Sequence, residues 1–257
     1  MSEKRMPVLF IGHGSPMNAI EENEFSQTWQ TLGEALPYPK AILSISAHWE
    51  TPSTQVTGMA APKTIHDFYG FPRELNEMQY PAPGSPELAK RVIQLLGSER
   101  VSTDQRWGLD HGTWSVLARM YPQADIPVVQ LSLGQTREGQ FHYDLGKELL
   151  SLRDEGVLIL GSGNVVHNLG MADPGGEAFP WAIEFDQQVK ECIEKKDHHP
   201  LIHFQQMGRS ALLSINSAEH YLPLLYILAL QQPDEEVTFY CEKIFWGSLS
   251  MRCVQFG

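Results

Sequence analysis

Pro7-Val8-Leu9-Phe10-Ile11-Gly12-His13-Gly14-Ser15-Pro16 is an apolar run that ends in a histidine held between two glycines. An apolar run without polar alternation describes a strand covered on both faces, the kind found inside a parallel sheet. The histidine follows that strand directly. The same pattern recurs twice. Residues 41–46 (AILSIS) precede His48, and residues 157–160 (VLIL) lead through Gly161-Ser162-Gly163-Asn164-Val165-Val166 to His167. In an open α/β sheet the ligand crevice lies just beyond the carboxyl ends of the strands. Three strand ends that each deliver an imidazole to that crevice point to a shared site.

Elsewhere in the chain, residues 126–133 (IPVVQLSL) supply another strand, and helical patterns fill the intervals. Phe25, Trp29, Leu32 and Leu36 recur at helical spacing. Ser85-Pro86-Glu87 combines an N-cap, a first-turn proline and an early acid, opening a helix that Gly97 can close. Residues 139–152 and 181–195 are further helical candidates, as is the apolar stretch 221–230 (YLPLLYILAL) despite Pro223. Residues 237–241 and 250–256 read as late strands added at a sheet edge. The longest irregular region, 51–85, is rich in proline and glycine, and a loop of that length is usually a functional wall or lid. The alternation predicts a single α/β domain spanning residues 1–257, with a central, mostly parallel sheet flanked by helices and an active site at the strand C-termini.

Composition narrows the function. A formal net charge of -12 argues against nucleic acid and against an anionic membrane surface. Hydrophobic residues at 42% and charged residues at 19% are an ordinary globular balance. Cys192, Cys241 and Cys253 show no paired spacing, which predicts reduced, buried thiols in a cytoplasmic protein. The first apolar run is too short for a signal peptide core, and no later stretch approaches a membrane span.

Ten histidines carry the chemistry. His13, His48 and His167 follow strands. His220 stands where the apolar helix 221–230 begins, and the positive end of a helix dipole keeps an imidazole neutral and able to bind metal. His111, in Trp107-Gly108-Leu109-Asp110-His111-Gly112-Thr113-Trp114, sits where a helix starts. His66 lies in the long irregular region among aromatic residues that suit a flat ligand, and is a candidate substrate contact. His198, His199 and His203 have no strand feeding them and read as surface loop; His142 reads as structural. Imidazoles with few thiolates suit iron, zinc or copper. Gly12-His13-Gly14 and Gly161-Ser162-Gly163 are only fragments of a dinucleotide fingerprint. Ser162 is not in a G-x-S-x-G elbow, and no H-E-x-x-H occurs.

Gly12-His13-Gly14-Ser15-Pro16-Met17-Asn18, Ser46-Ala47-His48-Trp49 and Thr64-Ile65-His66-Asp67-Phe68 resemble the bacterial 4,5-DOPA dioxygenase extradiol family. So do Tyr80-Pro81-Ala82-Pro83-Gly84-Ser85-Pro86, Asp110-His111-Gly112, Gly163-Asn164-Val165-Val166-His167-Asn168-Leu169 and Glu219-His220-Tyr221-Leu222-Pro223-Leu224-Leu225-Tyr226. That family belongs to the class III (LigB-type) extradiol ring-cleavage dioxygenases, and the similarity runs in order over nearly the whole chain. The resemblance implies one divalent metal held by His13, His48 and His220, with His167 as a fourth ligand or an acid-base group. It also implies a catalytic His111 in the substrate pocket, a small catechol such as DOPA, and dioxygen. Members of the wider class use two histidines and one glutamate around Fe(II). Here His220 matches the third position with Glu219 beside it, and an all-imidazole set also suits Zn(II). Two rivals are a zinc hydrolase of a small amide or ester using the same cluster, and a metal-storage protein without turnover. The oligomeric state is not legible.

Overall fold

The computed structural model describes residues 5–135 and 138–257. Its strands are β1 (Val8–Gly12), β2 (Ala41–Thr51), β3 (Gln55–Thr57), β4 (Ser102–Asp104), β5 (Val128–Gly134), β6 (Val157–Gly163), β7 (Val237–Tyr240), β8 (Ile244–Phe245), β9 (Leu249–Ser250) and β10 (Cys253–Phe256). Eight of them form one sheet in the order β4-β3-β5-β2-β6-β1-β10-β7, while β8 and β9 pair separately as a hairpin. The four central strands, β5-β2-β6-β1, are all parallel. β10 and β7 extend the β1 edge in antiparallel fashion, as the late strands predict.

Because the centre of the sheet is covered on both sides, β1 is apolar on both. Val8 and Phe10 join one core with the Leu222–Leu228 and Pro180–Glu194 helices. Leu9 and Ile11 join the other, beneath the Glu24–Ala35 and His111–Met120 helices. This is the α/β architecture expected from the alternation.

Several boundaries differ from the sequence reading. β2 extends through His48 to Thr51, with its register against β5 shifting between Ile45 and Glu50. An irregularity there re-aims the side chains of the last strand residues, a common device beside active sites. Residues 139–152 break into two helices, Gly139–Glu148 and Ser151–Asp154. The apolar 221–230 segment is helical over Leu222–Leu228. The predicted 250–256 strand splits between β9 and β10. His199–Ile202 is a short helix, not a surface loop, and His198 is tied to the Tyr143 hydroxyl and to Gln231. All three cysteines are free, but only Cys253 is buried; Cys192 and Cys241 are half-buried. Among the described residues no helix is long and apolar enough to cross a membrane.

Two local devices aim the site. Asp110 caps the His111–Met120 helix by accepting from the Thr113 amide, and its carboxylate also accepts from Ser46 Oγ at 2.6 Å and Gln130 Nε2 at 2.7 Å. That buried carboxylate joins the helix start to β2 and β5, so His111 is delivered at the strand ends. Gly163, the last residue of β6, lets the loop carrying His220 come close: a Cβ there would meet the His220 carbonyl at 2.1 Å. The neighbouring Asn164 amide donates to that carbonyl at 2.8 Å.

Candidate metal centre and substrate cavity

His13 leaves β1 with its amide bonded to the Gly163 carbonyl at 3.0 Å. Its Nδ1 lies 3.0 Å from Ser162 Oγ, whose proton is donated to the Gly112 carbonyl at 2.5 Å. With its proton committed, the serine accepts from His13 Nδ1–H, which leaves Nε2 bare. His48 Nδ1 faces Asp67 Oδ2 at 3.2 Å, an acceptor-only partner, so in the neutral ring His48 Nε2 is bare as well. The two Nε2 atoms stand 3.1 Å apart. Facing lone pairs at that distance repel unless a cation or a shared proton sits between them.

His220 completes the set. Its Nδ1 lies 3.2 Å from Glu219 Oε1, which Ser217 also contacts at 2.8 Å. Candidate ligand atoms of His13, His48 and His220 all lie within 4.8 Å of one another. Burial drives the His13 and His220 pKa values well below the ordinary histidine value, and the surrounding imidazoles push the same way. Both are therefore neutral, the form that binds a metal. Burial also lowers His48, but the hydrogen bond to Asp67 and the nearby acids outweigh it and raise the pKa overall. The donor set thus fits a divalent transition metal, and among the first-row ions imidazole nitrogen suits iron and zinc.

His111 and His167 flank this group differently. His111 donates both its backbone amide and Nδ1–H to Asp67 Oδ1, each at 3.0 Å, leaving its Nε2 free. Burial, and then the charge of His48, lower its pKa despite Asp67. His167 stacks flat on His220, with ring centroids 3.5 Å apart and planes within 4°. Its ligand atom groups with Glu219 and His220 and not with His13 and His48. Burial lowers its pKa to about 4.

These five histidines line a cavity of about 260 Å³. Its remaining wall is largely apolar, with Phe68 and Phe71 from the long irregular region and Phe245, Trp246 and Leu249 from the β8–β9 hairpin. His66 is not part of that wall. Its Nε2 is bonded to the Met78 carbonyl at 2.9 Å, and its ring packs behind Phe68 against Trp114. The residue that reaches the histidines is its neighbour Asp67, which no periodicity distinguishes. Its role emerges only when the loop closes over β2 and the His111 helix. Ser162 is equally hidden in the sequence, since its service to His13 depends on the pairing of β1 with β6.

The sequence pattern described as the catalytic LigB subunit of aromatic ring-opening dioxygenase matches residues 7–245. The chain belongs to the LigB family. It is 48% identical to the 4,5-DOPA dioxygenase extradiol of Escherichia coli K12, over all of this chain and 97% of that one. It is 42% identical to the protein of the same name from Beta vulgaris, over 84% of this chain and 83% of the other. The crystal structure of an uncharacterized Escherichia coli K12 protein superposes with a TM-score of 0.86 at 44% identity, covering 98% of this chain and all of the other. This LigB protein is an extradiol ring-cleaving dioxygenase, an oxidoreductase of a metal-dependent class. Nothing in the site or the relatives favours the hydrolase reading.

Proposed function

We propose that this chain, as one catalytic unit over residues 1–257, cleaves the ring of DOPA or a close catechol at the 4,5 bond, using Fe(II) held by His13, His48 and His220. The carrying observation is the pair of bare Nε2 atoms 3.1 Å apart, with His220 completing the set, at the base of an aromatic-walled cavity. Relatives named for 4,5-DOPA cleavage support the substrate. Iron supplies the redox chemistry that lets dioxygen react with an aromatic ring, which zinc, having no second accessible state, does not.

The protein's own groups do the rest. His111, with Nδ1–H held by Asp67, presents Nε2 as the acceptor for a catechol hydroxyl proton. The Asp67 carboxylate then steadies the imidazolium, while its contact with His48 ties this base to the metal site. His167, stacked on His220 and neutral, is placed to bond the substrate oxygens; the stacking favours an acid-base role over a fourth ligand. The apolar wall excludes water from the ring and holds it flat. The three free cysteines support a reducing, cytoplasmic setting.

The reading is tested by loading metal-free protein with Fe(II) or Zn(II) under nitrogen, then adding DOPA and air. The Fe(II) form consumes oxygen and yields a yellow product, while the Zn(II) form binds the catechol without consuming oxygen. Equal oxygen uptake by both forms would overturn the role of iron.

A further inference from the structure

A second cavity, of about 400 Å³, adjoins the first. The two share Ser15, Phe71, Phe245 and Trp246, which stand at the boundary between them. Their chemistry differs. The first is lined mainly by imidazoles and apolar groups, with the Asp67 carboxylate held against His48 and His111, whereas the second carries Glu21, Glu24 and Lys243. The β8–β9 hairpin is the partition: Phe245 and Trp246 face both cavities, and Lys243 and Ile244 face the second alone.

This partition is built firmly. Trp246 holds a left-handed backbone at φ 47°, a conformation that persists only when its surroundings enforce it. The Trp246 and Gly247 carbonyls accept from the Asp173 and Phe179 amides at 2.9 and 3.0 Å. The Lys243 carbonyl accepts from the Met251 amide at 2.8 Å. The Lys243 side chain, by contrast, is 60% exposed, and its Nζ pairs with Glu24 at 2.6 Å. An exposed pair of this kind is weak and readily opened.

We propose that the second cavity receives the zwitterionic end of an amino-acid catechol, with Lys243 taking the carboxylate and Glu24, assisted by Glu21, taking the ammonium. The inference rests on the catechol reading above and adds what selects among catechols. An ion pair on a cavity wall is the charge complement of a zwitterion, since each partner exchanges its mate without leaving a charge unpaired. The methylene stem would then pass between Phe71 and the Phe245–Trp246 pair.

The test compares steady-state kinetics of the Fe(II)-loaded full-length enzyme on four probes: DOPA, 3,4-dihydroxyphenylpropanoate, dopamine and 4-methylcatechol. Lys243→Met should raise KM about tenfold for the two probes that carry a carboxylate, relative to the two that do not. Glu24→Gln should show the crossed pattern, penalising DOPA and dopamine relative to the other two. Both variants break the same ion pair, so a merely structural effect would move all four probes alike under either substitution. That uniform result, or no change at all, with wild-type enzyme cleaving all four probes, overturns the subsite alone. A wild-type enzyme that cleaves 4-methylcatechol but not DOPA overturns the substrate reading and the subsite with it.

Discussion

At the scale of single residues, metal binding and proton transfer turn on which imidazole nitrogen is bare. Ser162 and Asp67 make that choice for His13, His48 and His111, because each presents an acceptor to Nδ1–H. Ser162→Ala should therefore weaken Fe(II) binding by about ten- to a hundredfold, the usual scale for a residue that orients a metal ligand. Titration against a competing chelator reads this directly, and unchanged affinity would show that the serine does not orient His13. His13→Ala or His48→Ala should remove most of the metal, whereas His198→Ala, whose ring is occupied by Tyr143 and Gln231, should keep it. Metal content by atomic absorption decides this, and full stoichiometry in His48→Ala would remove that ligand from the site. His111→Ala should retain metal and lose about a hundredfold or more in turnover, as for a general base. Wild-type turnover across pH would end its catalytic assignment. The histidines themselves were legible because His13 and His167 follow strands, His48 closes an apolar run, and His111 and His220 stand where helices begin. Asp67 was not, although it stands beside His66 in Thr64-Ile65-His66-Asp67-Phe68, because which of two adjacent loop residues turns inward is set by the loop's closure. Here the Met78 carbonyl holds His66 outward.

At the scale of elements, the parallel core was legible from four continuous apolar runs, and the Pro86–Leu96 helix from its cap, first-turn proline and closing glycine. The β8–β9 hairpin was not, because two-residue strands carry no periodicity, yet it supplies one side of both cavities. Buried charge anchors the chain where it leaves this hairpin. Arg252 is 3% exposed and bonds Asp186 through two nitrogens, with Glu242 on its other side, while Ser250 Oγ donates to Asp186 at 2.5 Å. Asp186→Ala strands most of a guanidinium away from water and should cost about 3–5 kcal/mol of stability. Urea unfolding of the metal-free protein measures it, and a loss below about 1 kcal/mol would mean that Glu242 alone satisfies the arginine.

At the scale of the whole molecule, folding holds several histidines neutral inside the protein. Burial lowers His142 to about 4, while its Nδ1 meets the Tyr226 hydroxyl. In the unfolded chain the same group takes up a proton near pH 6.5. Between these values the unfolded state binds more protons, so stability is unaffected by this group above about pH 6.5 and falls as the solution is acidified toward pH 4. His142 contributes on the order of 3 kcal/mol to that loss. His142→Phe should therefore flatten the dependence of urea midpoint on pH over this window, and an unchanged slope would contradict the assignment. The α/β class was readable from the alternation alone, whereas the reaction needed the convergence of distant strand ends and the family match, because one fold hosts many chemistries. If the histidine site is a dioxygenase centre, both atoms of dioxygen enter the catechol ring. Oxygen labelling follows those atoms: the Fe(II)-loaded enzyme cleaves DOPA under ¹⁸O₂, with borohydride reduction before the aldehyde oxygen exchanges with water. Both labelled atoms are expected in the ring-opened product; a product that carries no ¹⁸O would contradict ring cleavage by this site.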